Sequence, residues 1–247
     1  MNLRQRLRQS APLHNVFMTL PSPRLAERMA ATGVESITLD MQHGSIEDGH
    51  LLGLLQAIRA GGGLALTRLA WNRPELTMKA LDYGVEGVIC PMVDTPEEAR
   101  AFVRAAKYPP VGNRSFGPFR AALHYDGDYF AAANGETLAF VMIETAAAAE
   151  QLDAIAATPG LDGLYIGPYD LSVSLGLADR ADFSDPQLSA VLDRVIESAA
   201  RHNLFTGIFT TRPTDVAGLV QRGFDIVTCG TEELIFQRGL RDWMADF

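Results

Sequence analysis

Residues 64–90, "LALTRLAWNRPELTMKALDYGVEGVIC", decide the fold. The segment 64–68 reads as a buried strand, 73–83 as a helix entered after Asn72 and Pro74, and 86–90 as a second buried strand. Gly84 falls where a helix end needs a left-handed residue. Strand, helix and strand in one stretch predict parallel strands joined by a right-handed helical crossover.

The same unit recurs along the 247 residues. Strands are expected at 15–19, 35–39, 64–68, 86–90, 138–143, 162–166, 204–209 and 225–229. Helices are expected at 22–32, 47–60, 73–83, 95–106, 146–157, 186–202, 213–222 and 231–244, and Gly33, Gly61, Gly84 and Gly223 mark four of their ends. Eight strands alternating with eight helices fit a closed (β/α)8 TIM barrel, an α/β fold in a single domain spanning 1–247. An open doubly wound sheet is the rival, and no G-x-G-x-x-G follows the first strand to support its dinucleotide-binding form. The connection 107–137 is too long for a plain barrel loop and reads as functional.

Composition excludes several classes. The net charge of −9 argues against nucleic acid and anionic membranes as partners, because phosphate binding needs clustered Lys and Arg. No apolar run reaches the roughly 18 residues of a membrane span, and no signal-peptide core follows the basic start. Cys90 and Cys229 each end an apolar run, which suits buried thiols in a reducing cytoplasm better than a disulfide.

Barrel chemistry lies on the loops after the strands. Those positions hold Asp40, Gln42 and His43 after strand 2, Arg68 at the end of strand 3, Glu144 after strand 5, Asp170 after strand 6 in "YIGPYD", and Phe209 at the end of strand 7. Alone, Glu144 and Asp170 read equally as helix caps, Arg68 as a surface cation and His43 as a stray histidine. Together on one rim they suggest a site. Two carboxylates without a nearby Cys or second His favour a hard divalent ion, Mg²⁺ or Mn²⁺, that holds a 2-oxo acid and stabilises its enolate. Arg68 adds a charged hydrogen bond to the developing oxyanion, and His43 is the base. The two lysines, Lys79 and Lys107, sit away from strand ends, so no amine is placed for an imine.

In "LDMQHG", "TRLAWNRP", "KALDYGVEGVICPMVDTPEEA", "YPPVGNRSFGP", "MIET" and "YIGPYDLSVSLG" the chain resembles the HpcH/HpaI family of class II, metal-dependent pyruvate aldolases, over residues 15–236. The resemblance implies reversible cleavage of a 4-hydroxy-2-oxo acid to pyruvate or hydroxypyruvate and an aldehyde, with Mg²⁺, Mn²⁺ or Co²⁺ and no organic cofactor. It implies Glu144 and Asp170 as metal ligands, and His43 as the residue that manages the aldol hydroxyl proton through metal-bound water. Arg68 matches the enolate-stabilising arginine. Asp82, in "LDYG", matches the acid that raises the basicity of that histidine, with Asp40 as the local candidate for the same task. Gly167, Pro168 and Tyr169 match the turn facing the substrate carboxylate. The chain departs from many relatives at Gln42, Met142 and Phe209, the last at the aldehyde end. The family's homohexamers, trimers of dimers, imply that the helix at 231–244 is swapped onto a neighbour, although its own barrel could equally bury it. Three rival readings remain: a CoA-thioester lyase of the citrate or malyl-CoA type, for which Arg114 and Arg120 in the long loop are the obvious cations; an oxaloacetate decarboxylase; and a non-catalytic barrel.

Overall fold

Eight parallel strands close in sequence order into one barrel in the computed structural model, which describes residues 1–9, 12–125, 127–178, 180–245 and 247. They are β1 (Leu13–Met18), β2 (Ser36–Asp40), β3 (Leu64–Arg68), β4 (Gly87–Cys90), β5 (Leu138–Ile143), β6 (Gly163–Ile166), β7 (Phe205–Thr210) and β8 (Ile226–Thr231). The helices are α1 (Leu3–Leu7), α2 (Pro23–Ala31), α3 (Asp48–Ala60), α4 (Pro74–Asp82), α5 (Pro96–Ala106), α6 (Tyr129–Glu136), α7 (Ala146–Glu150), α8 (Leu152–Ala156), α9 (Pro168–Ser174), α10 (Pro186–His202), α11 (Val216–Arg222) and α12 (Glu232–Met244). The predicted (β/α)8 architecture is the one observed.

The strands read as near-continuous apolar runs because both faces are covered. Ile37, Leu39, Val88, Val141, Ile143, Leu164 and Ile166 pack with helical residues such as Leu54, Phe102 and Leu192. A second cluster holds Phe17, Leu66, Phe140, Met142, Tyr165 and Ile226 together with Leu3 and Leu7 of α1. The Leu3 amide donates to Glu86 beside the start of β4 at 2.8 Å, so α1 closes the amino-terminal mouth of the barrel. Truncating the fully buried Leu3 to Ala would cost about 2–5 kcal/mol. The open end is therefore the carboxyl-terminal one.

Local signals explain the boundaries. Thr95 and Pro96 open α5 through a capping box with Glu98. Gly33, Gly84 and Gly223 hold positive φ as expected, but Gly61 has φ −77° and Gly62, at +85°, makes the left-handed turn instead. The helix expected at 146–157 is broken at Gln151 into α7 and α8.

The segment 107–137 differs most from expectation. It joins α5 to β5, so it lies at the amino ends of the strands, away from the loops that follow them. It carries α6, and Lys107 Nζ ties it down by donating to Asn134 O, Thr137 O and Asp162 Oδ2 at 2.6–3.0 Å. Arg114 pairs with Asp82 at 2.7 Å, and the buried Arg120 donates to Tyr83 O at 2.8 Å. These two arginines serve the packing of α4 against the segment and do not reach the carboxyl-terminal rim. The cations expected for a CoA tail are thus on the wrong face. Cys90 and Cys229 are both free thiols.

Candidate active site

At the open end, Asp40 and Arg68 are the last residues of neighbouring strands and face each other in register. Arg68 Nε donates to Asp40 Oδ1 at 2.9 Å and Nη2 to Oδ2 at 2.6 Å, a bidentate pair. Asp40, only 2% exposed, also accepts from the amides of Gln42 and His43 at 3.0 and 3.3 Å. One carboxylate therefore fixes the arginine and the turn that carries His43 to the surface. The Arg68 guanidinium sits 5.0 Å from the centre of the Phe17 ring, and its Nη1 has no protein hydrogen bond among the described residues.

On the other side of the opening, Ile143 and Ile166 pair in register, so the next residues, Glu144 and Gly167, are neighbours. A Cβ on Gly167 would lie 2.4 Å from Glu144 Oε2 and 3.0 Å from Met142 Cε, so only glycine leaves room for this carboxylate. Glu144 is 1% exposed, and its Oε1 accepts from the Met92 amide at 2.6 Å. Burial, reinforced by the neighbouring Asp170 charge, pushes its carboxyl up to about 7 against the pull of the Met92 hydrogen bond. Asp170 is exposed, on the first turn of α9.

The helix-cap alternative for these two acids does not describe them. Thr145 caps α7 by accepting from the Ala148 amide, and Gly167 is the cap residue of α9.

A cavity of about 330 Å³ joins these groups, lined by Asp40, His43, Arg68, Met142, Gly167, Pro168, Tyr169, Asp170 and Phe209. Nine of the residues singled out in sequence thus share one cavity wall, and Glu144 lies directly behind Gly167. Phe209 is half-buried, its ring 5.3 Å from Phe17 and 6.0 Å from Tyr169.

Asp82 does not join them. It ends α4, at the face opposite the strand ends, and its partner is Arg114. Within one chain it cannot tune His43. Asp40, the other candidate for that task, bonds the backbone amide of His43 and pairs with Arg68.

Sequence reasoning missed Phe17, Thr19, Tyr165, Thr231 and Glu233, which complete the lining. Thr19 follows β1 and Thr231 ends β8; both stand where the strand-end rule looks, but a lone threonine carries no ionisable group to mark it. Glu232, beside them, is a buried carboxylate that accepts from the Thr19 amide and hydroxyl and the Leu20 amide at 2.7–3.0 Å. It locks the β1 loop to the start of α12.

Two oxygen-donor acids converge here without a cation partner of their own, and among the described residues no group of three or more His, Cys, Asp or Glu side chains gathers. A buried carboxyl whose ionisation is opposed by a like charge suits a divalent cation, which reverses that opposition. The residues fit such an ion.

Comparison with known proteins agrees over nearly the whole chain. Residues 14–237 match the family described as HpcH/HpaI aldolase/citrate lyase. The chain is 35% identical over 230 residues to a hydroxypyruvate/pyruvate aldolase of Rhizorhabdus wittichii, covering 93% of this chain and 92% of that one. It is 36% identical over 219 residues to a 2-dehydro-3,6-dideoxy-6-sulfogluconate aldolase of Pseudomonas putida, covering 88% and 85%. The crystal structure of a family protein from Burkholderia cenocepacia superposes with a TM-score of 0.90 at 29% identity, over 99% of this chain and 98% of that one.

Proposed function

Because the chain belongs to the HpcH/HpaI aldolase/citrate lyase family, we propose that it is a carbon–carbon lyase that reversibly cleaves a 4-hydroxy-2-oxo acid to pyruvate or hydroxypyruvate and an aldehyde. The observation that carries this reading is the shared cavity of Arg68, His43 and Asp170 with Glu144 behind it. The lysines point the same way. Lys79 lies over the Tyr83 ring on α4, and Lys107 is bound at the opposite face, so neither amine reaches the substrate.

Glu144 and Asp170 would hold a divalent cation, Mg²⁺, Mn²⁺ or Co²⁺, which when bound supplies Lewis-acid charge beside the 2-oxo group. The remaining chemistry falls to the chain. Arg68, held flat by Asp40, offers its free N–H to the C2 oxygen and stabilises the negative charge that grows there. His43 takes the proton of the C4 hydroxyl. The C3–C4 bond breaks, its electron pair enters the enolate, the aldehyde leaves, and C3 is reprotonated. Condensation is the reverse. Gly167, Pro168 and Tyr169 bind the donor carboxylate, and Phe209 walls the aldehyde end. The same enolate-stabilising groups would serve oxaloacetate decarboxylation, while Arg68 is the one lysine or arginine among the described residues lining this cavity, which offers little to a CoA thioester.

Assembly is part of the proposal. Leu234, Ile235, Phe236, Leu240, Trp243 and Met244 of α12 are all exposed in one chain, so its own barrel does not bury them. Docking on a neighbouring subunit would cover them and build a homohexamer, as a trimer of dimers. Sedimentation should show a smaller species for Ile235→Lys with Trp243→Lys, and an unchanged one would remove this element. No helix among the described residues is long and apolar enough to cross a membrane.

The test of function is a panel of aldehydes with pyruvate and with hydroxypyruvate after chelation and metal add-back. We expect activity to vanish and return. Full activity in chelator, or a borohydride-trapped adduct with pyruvate, overturns the class II reading.

A further inference from the structure

The closed strand order divides the cavity wall into arcs. β2 and β3 bring Arg68 and Asp40, and β5 and β6 bring Glu144 and Asp170, so the donor oxo acid lies between them. The remaining arc runs from β7 through β8 to β1 and carries Phe209, Thr231, Glu233, Phe17 and Thr19. The acceptor aldehyde must occupy it.

Among the described residues that line this arc there is no cation, and the ionisable one is Glu233, on the first turn of α12, which makes no ion pair or hydrogen bond among the described residues. Its position is fixed from both sides in sequence. Thr231 caps α12 by accepting from the Leu234 amide at 3.2 Å, and Glu232 is clamped to Thr19 and Leu20. The Thr19 hydroxyl donates to Glu232 and can only accept a further hydrogen bond. Arg68, the cavity's guanidinium, is already matched by Asp40.

We propose that Glu233 makes the acceptor end select uncharged, hydroxyl-bearing aldehydes over aldehydes that carry a second carboxylate. The inference rests on the aldolase reading and names its substrate class. A second carboxylate on the acceptor adds a negative charge on the arc that already holds one and receives no donor to satisfy it. A hydroxyl donates to Glu233 or to the Thr19 oxygen instead.

The experiment compares two acceptors of equal carbon count, glycolaldehyde and glyoxylate, with pyruvate as donor. The readout is the ratio of kcat/KM for glyoxylate to that for glycolaldehyde. Glu233→Gln keeps the shape and removes the charge, so this ratio should rise on the order of tenfold, the size of a like-charge contact facing solvent. Glu233→Lys should carry it further in the same direction. Added salt should raise the wild-type ratio and leave that of Glu233→Gln nearly level. A ratio that moves less than twofold in both variants overturns the inference. Exchange of the pyruvate methyl protons in heavy water, followed by NMR on the wild type, separates this from the function itself: exchange with an unmoved ratio removes the role of Glu233 alone, whereas no exchange removes the aldolase reading and the inference with it.

Discussion

The Met92 amide donates to Glu144 Oε1 at 2.6 Å, and Met92 holds a left-handed φ of 54° beside that bond. The other positive-φ residue that is not glycine among those described, Asn203, ends α10, where such geometry is expected. Met92 has no such excuse. Left-handed backbone costs a non-glycine residue roughly 1–2 kcal/mol and persists where surrounding structure demands it. Here the demand is a donor aimed at a carboxylate expected to hold a metal.

Substitution at Met92 should therefore act on metal affinity. Glycine keeps the amide and the conformation, so Met92→Gly should bind Mn²⁺ within about threefold of the wild type. Valine resists the left-handed region, so Met92→Val should bind about tenfold more weakly, the equivalent of roughly 1.4 kcal/mol. Titration calorimetry with Mn²⁺ decides; equal affinities for the two variants would show that the conformation is incidental.

A second expectation follows from the Glu144 carboxyl, raised from 4.5 to about 7 chiefly by burial. In the metal-free protein the folded state holds this proton between pH 4.5 and about 7 while the unfolded state has released it. Stability must then fall as pH rises through that window, by up to roughly 3 kcal/mol. Mn²⁺ affinity should move the opposite way and strengthen as pH rises towards 7, because binding displaces the proton. Melting temperatures in chelator across this range, on the wild type and on Glu144→Gln, check the sign. If the Gln variant keeps the full slope, another group carries it.

The Arg68–Asp40 pair makes a third case. Arg68→Ala should slow pyruvate proton exchange and aldol cleavage together, by roughly 10²–10³, since both pass through the enolate. It also strands Asp40 as a buried acid, so the loss of stability should reach about 3–5 kcal/mol. Arg68→Ala with Asp40→Ala should recover much of that stability and none of the rate. Additive melting-temperature losses in the double variant would mean that the two do not act as a pair.

Much of this site was legible because barrels place chemistry by a rule. The strands are runs of buried apolar residues, so their ends could be located within about two residues, and Asp40, Arg68, Glu144, Asp170 and Phe209 stood at or just after those ends. What was not legible has physical reasons. Asp82 was placed by motif, and a residue closing a helix in this architecture lies at the opposite face of its own barrel. Glu233 looked like an ordinary acid in a helix's first turn, favoured there by the helix dipole. α9 is only seven residues long, too short for helical periodicity to register. The left-handed turn at Met92 has no signature in a methionine.

Phe209 is the last case, and two forces compete there. Its ring packs against Phe17 and Tyr169, and the same ring forms part of the cavity wall. Phe209→Val removes ring contacts and opens volume at once. Because the residue is half-buried, the stability loss should fall below the about 3–5 kcal/mol of a fully buried Phe→Ala change. The selectivity effect has its own ceiling: differences of a methylene in an apolar pocket are worth about 1–3 kcal/mol, or roughly 10- to 200-fold between aldehydes. The new space lies on the acceptor arc, so longer aldehydes should gain, while proton exchange of pyruvate, which needs only the Arg68 and Glu144 sides, should change far less. Product ratios for a two-carbon and a four-carbon aldehyde, measured beside the melting temperature, separate the two roles. A lowered melting temperature with an unmoved product ratio would assign Phe209 to packing alone.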